Sequence, residues 1–140
     1  MLPILINVFL VSVTVVIHYE TLRLLAEVLP RLGHAHRYRI VFGVMGALLA
    51  HTLEIGLFGL AYFVMIKAGR FGILEGAAEN SLSDCNYFSF ITYTTVGYGD
   101  ITPLGDLRYL ASMESLTGLV MITWTASYIF LEMQKKWGRD

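Results

Sequence analysis

The chain has 140 residues, 56% of them hydrophobic and only 15% charged, with a net charge of −1 and a mean hydropathy of +0.62. That length holds one domain at most, and so low a charged fraction, against about a quarter in soluble domains, suits a small membrane protein. The single cysteine, Cys85, excludes an intrachain disulfide and a Cys-based zinc site, and no basic patch interleaved with aromatics points to nucleic acid.

Taken in order, the first apolar stretch, Leu2 to Ile17, is free of charge and continues through His18, Glu20 and Arg23 to Leu29, where Pro30 stops it. It lacks the basic flank and small-residue cleavage site of a signal peptide and reads as a retained helix. Its charge-free part spans roughly 24 Å at the rise of an α-helix, short of the ~30 Å hydrocarbon core. Tilt, or burial of His18 and Glu20 against neighbours, is expected to close the gap. A second stretch runs from Ile40 to Ile66 with His51 and Glu54 inside it, and a third from Leu107 to Leu131 with Glu114 inside it. Between them, Lys67 to Asp106 is too long for a plain turn and should hold structure of its own. Within it, Ser81 to Asp84 offers N-cap residues, and Cys85 to Tyr93, without Gly or Pro, predicts a short helix of two to three turns.

Charge sets an orientation. Arg23, Arg31, Arg37, Arg39, Lys135, Lys136 and Arg139 fall on one side, and Lys67, Arg70 and Arg108 on the other. The positive-inside rule then places the Pro30–Arg39 loop and the C-terminus in the cytoplasm, and the N-terminus and the Lys67–Asp106 region outside.

Thr94 to Asp100 reads TTVGYGD. Gly97 and Gly99 tolerate left-handed backbone, and their alternation with Val96 and Tyr98 can aim successive carbonyls one way and bulky side chains the other. Rings of such carbonyls, with the Thr95 hydroxyl beneath, can replace the water shell of a potassium ion. Bare backbone at membrane depth is tolerated only where protein surrounds it or it lines a water-filled path. The segment resembles the potassium-channel signature without a departure, and Pro103 follows as it often does in that superfamily. The resemblance covers roughly Tyr38 to Lys136. It implies an all-α membrane protein with three transmembrane helices, a re-entrant pore helix and a selectivity filter, in which residues 1–37 are an added helix and cytoplasmic loop and 38–140 the pore module. It further implies that Thr95, Val96, Gly97 and Tyr98 coordinate K+, that Thr94, Gly99 and Asp100 support the filter, with Asp100 at the outer mouth, and that Gly118 lies where many relatives have an inner-helix hinge. Some relatives carry a pore-helix glutamate bonded to the aspartate after the filter. Here that region offers Ile91 and Tyr93, so Glu114 is read as the bracing carboxylate instead.

The implied protein is a homotetramer in a lipid bilayer, in a prokaryotic plasma membrane. It passes K+ without a cofactor and without a metal beyond K+, and it is not an enzyme. The alternative is a non-conducting regulatory subunit or a less selective cation channel. Ionisable groups at membrane depth usually face the protein interior. His51 and Glu54, spaced i, i+3, are therefore either a structural hydrogen-bonded pair or a pH-sensitive switch. Trp124, deep in the third stretch, is expected to pack internally.

Overall fold

The computed structural model describes residues 1–32, 36–77 and 79–137. Helix α1 covers Leu2–Val28, a 3-10 turn follows at Leu29–Leu32, and α2 covers His36–Lys67. A two-residue strand β1, Leu74–Glu75, precedes helix α3, Leu82–Tyr93, and a second strand β2, Thr102–Pro103, precedes helix α4, Leu107–Trp137. Part of the predicted inner loop, residues 33–35, lies outside the described residues.

Three helices, α1, α2 and α4, contain apolar segments of 27, 30 and 29 residues, long enough to cross a membrane. At 1.5 Å per residue each exceeds the ~30 Å hydrocarbon core. The predicted shortfall of the first stretch disappears because α1 runs on past His18, which is fully buried. Glu20, expected to be buried beside it, is instead exposed and pairs with Arg23 at 3.5 Å. It falls off the buried stripe, which runs through Asn7, Leu10, Thr14, His18 and Leu22 at steps of three and four. The rest of α1 presents Val8, Phe9, Val16 and Leu24 outward, an apolar coat suited to lipid.

The same spacing organises the other two long helices. On α2 the buried face passes through Ala47, Ala50, Glu54, Phe58, Tyr62 and Met65, and on α4 through Leu107, Leu110, Glu114, Thr117, Met121 and Thr125. Small residues at Ala47 and Ala50 let backbones approach closely where apolar burial supplies no drive between helices. Helix α3 packs between α2 and α4, with the Tyr62 and Phe88 rings edge-on at 5.1 Å. At one end of the bundle Arg39 reaches Glu132 at 3.6 Å. At the other, Lys67 and Arg70 lie over the rings of Phe63 and Phe71.

The long segment between α2 and α4 does have structure of its own, including an element the sequence did not announce. β1 and β2 pair antiparallel, Leu74 opposite Pro103 and Glu75 opposite Thr102. The Leu104 amide adds a bond to the Ile73 carbonyl at 2.9 Å. This two-rung neck closes the loop that contains α3 and the TTVGYGD segment.

Candidate functional site

The site begins at the start of α3. Ser81 Oγ accepts from the Asp84 amide at 3.2 Å, and Asp84 Oδ2 accepts from the Ser81 amide at 3.0 Å. This reciprocal cap satisfies two donors a helix start leaves unpaired. The bond from the Ser81 amide holds the Asp84 carboxyl below its ordinary range. The helix therefore starts three residues before the predicted Cys85, with Ser81 as its cap. It ends at Tyr93, where the Thr94 amide still bonds to the Phe90 carbonyl at 3.1 Å.

The signature segment leaves that end directly. Thr95, Gly97 and Gly99 have φ of 60°, 54° and 79°. Left-handed backbone at every second residue turns successive carbonyls toward one side of a ribbon. Glycine takes such angles freely, whereas a β-branched threonine is strained by roughly 1–3 kcal/mol. Thr95 therefore has to be held, and it is: its amide bonds to the Thr92 carbonyl and that of Gly97 to the Ile91 carbonyl, both at 3.0 Å. Ser115 Oγ, from α4, donates to the Thr92 carbonyl at 3.2 Å. Val96 and Tyr98 are exposed in the single chain, at 54% and 74%, and no atom lies within 4 Å of a Cβ built on Gly97 or Gly99. One chain thus supplies a ribbon with one face unfilled.

Asp100, beyond the ribbon, accepts from the Tyr87 hydroxyl at 2.8 Å. The bond to Asp100 pushes the Tyr87 phenol up and keeps it a donor. Glu114, fully buried on α4, serves a different part of α3. It accepts from the Tyr62 hydroxyl at 2.6 Å and contacts the Ser89 hydroxyl, which also lies 2.8 Å from the Ile55 carbonyl. Three contacts share two hydroxyl protons. Full pairing needs a third, on Glu114, which then donates to Ser89 while Ser89 donates to Ile55. A neutral acid also removes a buried charge. Asp100 and Glu114 thus brace α3 at separate places.

Gly118 lies within an unbroken α4. Its backbone comes so close to Tyr93 that a Cβ there would run into the Tyr93 carbonyl and ring. The glycine permits this close approach of the inner helix to the end of α3.

His51 and Glu54 are 3.3 Å apart, as their spacing predicted. They are not an isolated pair. His18 Nδ1 lies 3.0 Å from the second Glu54 oxygen. The Tyr93 hydroxyl donates to Glu54, and Thr125 Oγ1 lies 3.1 Å from His51 Nε2 and 3.3 Å from His18 Nε2. All four helices meet here. Trp124, expected to be packed internally, is 37% exposed with its ring 5.3 Å from that of His18. One edge faces the cluster and the other faces outward. Sequence reasoning passed over Tyr87, Ser89, Tyr62 and Thr125. The one signal for Ser89 is a lone small hydroxyl amid the aromatics of α3; the others have none at sequence level.

An ion channel family model matches residues 50–135. Among curated proteins, the chain is 36% identical over 75 residues to an inward rectifier potassium channel, Kirbac3.1, of Paramagnetospirillum magnetotacticum, covering 53% of this chain and 24% of that protein. It is 48% identical over 76 residues to Protein LctB of Geobacillus stearothermophilus, 50% of this chain and 56% of that protein. It is 30% identical over 89 residues to the human voltage-gated potassium channel regulatory subunit KCNG1, 56% of this chain and 17% of that protein. The chain therefore spans about half or less of the length of these relatives. No solved structure matches it.

Proposed function

We propose, from the premise that this chain belongs to the ion channel family within the potassium channel superfamily and is an integral membrane protein, that four copies surround one pore and pass K+ selectively and passively. The observation that carries this reading is the left-handed backbone at Thr95, Gly97 and Gly99 within an intact TTVGYGD. Thr95, Val96, Gly97 and Tyr98 would supply carbonyl rings that stand in for water around the ion. One ribbon makes one side of each ring, so rotational symmetry has to supply the rest. The unfilled face beside Val96, Gly97 and Tyr98 is where neighbouring copies fit. The C-terminal end of α3 carries partial negative charge and points into the start of the ribbon, which favours a cation there.

Thr94, Gly99, Asp100 and Glu114 support the filter in this account, residues 38–140 form the pore module, and residues 1–37 add a helix to it. The filter faces outward, the Arg39–Glu132 end lies in the cytoplasm, and no cofactor takes part. A second reading, a regulatory subunit that does not conduct alone, is favoured by the similarity to KCNG1, a channel regulatory subunit. The unaltered signature weighs against it.

Rubidium uptake into liposomes holding only this protein tests the proposal. Flux that is blocked by barium and rejects sodium is expected, from an assembly of four 15.7 kDa chains. Gly97→Ala puts a Cβ on left-handed backbone and should abolish flux or its preference for potassium. No flux from a pure tetramer would overturn the reading in favour of the regulatory subunit, and unchanged selectivity in Gly97→Ala would remove its basis.

A further inference from the structure

The His18–His51–Glu54–Thr125 cluster forms a closed circuit of four hydrogen-bond contacts. Glu54 faces Nδ1 of His18 at 3.0 Å and Nδ1 of His51 at 3.3 Å. Thr125 Oγ1 faces Nε2 of His51 at 3.1 Å and Nε2 of His18 at 3.3 Å. Each contact needs one hydrogen. A neutral imidazole brings one, the threonine hydroxyl brings one, and an ionised carboxylate brings none. The neutral rings and Thr125 therefore supply three hydrogens for four contacts. The Tyr93 hydroxyl lies 3.2 Å from His51 Nδ1 as well, but its contact with Glu54 is the shorter, and its proton goes there.

We propose that this circuit is a binding site for one extra proton, held jointly by His18, His51 and Glu54, and that its occupancy sets how firmly Tyr93 anchors the inner end of the filter. The fourth hydrogen completes the circuit whichever member carries it. It also cancels the charge of Glu54 in a place where His18 and Glu54 have no solvent exposure at all. Its loss leaves a net negative charge at membrane depth and one ring nitrogen that is paired only if Tyr93 turns its proton from Glu54 to His51 Nδ1, 3.2 Å away. The titratable groups that face the cluster are His18 from α1, His51 and Glu54 from α2 and Tyr93 from α3; α4 brings Thr125 and the Trp124 ring. The carboxylates of α4 lie farther off: Glu132, paired with Arg39, is two turns away, about 10 Å along the helix, and Glu114 is three turns away, about 16 Å.

The donor atoms of His18, His51 and Glu54 all lie within 4.8 Å of one another. Yet each ring already uses both nitrogens in the circuit, so the geometry suits a proton and not a metal ion. The cluster comes nearest to the surface at His51. Its side chain is 13% exposed and lines a groove together with Tyr93, Thr94 and Thr125. That groove reaches the residue that precedes Thr95. Histidine is the side chain whose charge changes between about pH 5 and 8.

The proton count stands without the channel reading, whereas its link to flux rests on it, and two measurements separate them. Imidazole nitrogen NMR of the intact protein in liposomes, from about pH 5 to 9, should show both rings shifting together with one midpoint, one proton per chain. Rings that stay unchanged, or that titrate with separate midpoints, overturn the site. Stoichiometric uptake of cobalt with ligand-field bands also overturns it. Glu54→Gln offers a sharper variant. Its amide supplies the fourth hydrogen permanently, so the joint titration should vanish, and its survival overturns the count. Should that variant fail to assemble, the wild-type titration still decides. Rubidium flux should fall as the proton leaves, and Glu54→Gln should lose this pH dependence. Flux that stays flat or rises while the rings titrate overturns the link to the filter.

Discussion

Two carboxylates are fully buried among the described residues, and they differ in their company. Glu114 meets the hydroxyls of Ser89 and Tyr62. Glu54 meets two imidazoles and the Tyr93 hydroxyl. Each circuit is one hydrogen short if its carboxylate is ionised. Beside hydroxyls, which do not ionise near neutral pH, the missing proton has one resting place, the acid itself. Beside imidazoles it can reside on three groups. The first arrangement is a fixed brace behind α3. The second is a brace whose state can change.

Truncation is the harshest way to break the comparison. Glu114→Ala should cost about 2–5 kcal/mol, since it opens a cavity and strands two hydroxyls, read as loss of the assembled form in a denaturant titration in detergent. Glu54→Ala should fall in the same range. His51→Ala combined with Glu54→Ala should cost less than the sum of the two single changes, because the partners share one circuit; simple addition would show that they act separately.

An isosteric change sharpens the contrast. In Glu114→Gln the amide donates to Ser89 where the acid proton did, while its oxygen still accepts from Tyr62. We expect a loss under about 1 kcal/mol, with no change in pH dependence between about pH 5 and 8. A large loss would mean that Glu114 is ionised and that the two carboxylates are alike.

The carboxylates nearer the surface, Asp100 and Asp84, set the scale from below. Tyr87→Phe deletes the donor to Asp100 and should have a small effect, seen as faster loss of rubidium flux when external potassium is lowered. Ser81→Ala should remove about 1 kcal/mol of capping from α3, read from thermal unfolding. Asp84 gives the smallest effect. Its folded carboxyl lies below the ordinary 3.8 because of the Ser81 amide, so its contribution is present above that value and fades as the pH falls through the folded one. Asp84→Asn should therefore differ from the parent at pH 7 and converge with it in strong acid.

Much of this was legible in the residues. The apolar stretches gave three helices, Pro30 the end of the first, and TTVGYGD the ribbon, because each is a local pattern. Local reasoning also paired His51 with Glu54, one turn apart. It failed where partners come from far along the chain. Thr125 is 107 residues from His18 and joins it only because α1 packs on α4. Tyr87 reaches Asp100 only because the ribbon runs back along α3. Glu20 and His18 look equivalent in composition, yet helical phase buries one and exposes the other. The β1–β2 neck is two residues a side, too short for any alternation to mark it.

That neck has a mechanical consequence. Pairing Leu74 with Pro103 turns the chain between them into a lariat, with α3 and the ribbon inside the noose. Tension applied along α2 or α4 is borne across the knot and bypasses the noose. Whatever α4 does at its C-terminal end can therefore tug on the ribbon from the side, through Ser115 on the Thr92 carbonyl, Glu114 on Ser89 and the seat of Gly118 against Tyr93. Those three touchpoints are levers, and stiffening or slackening any one changes how much of a distant movement the ribbon feels.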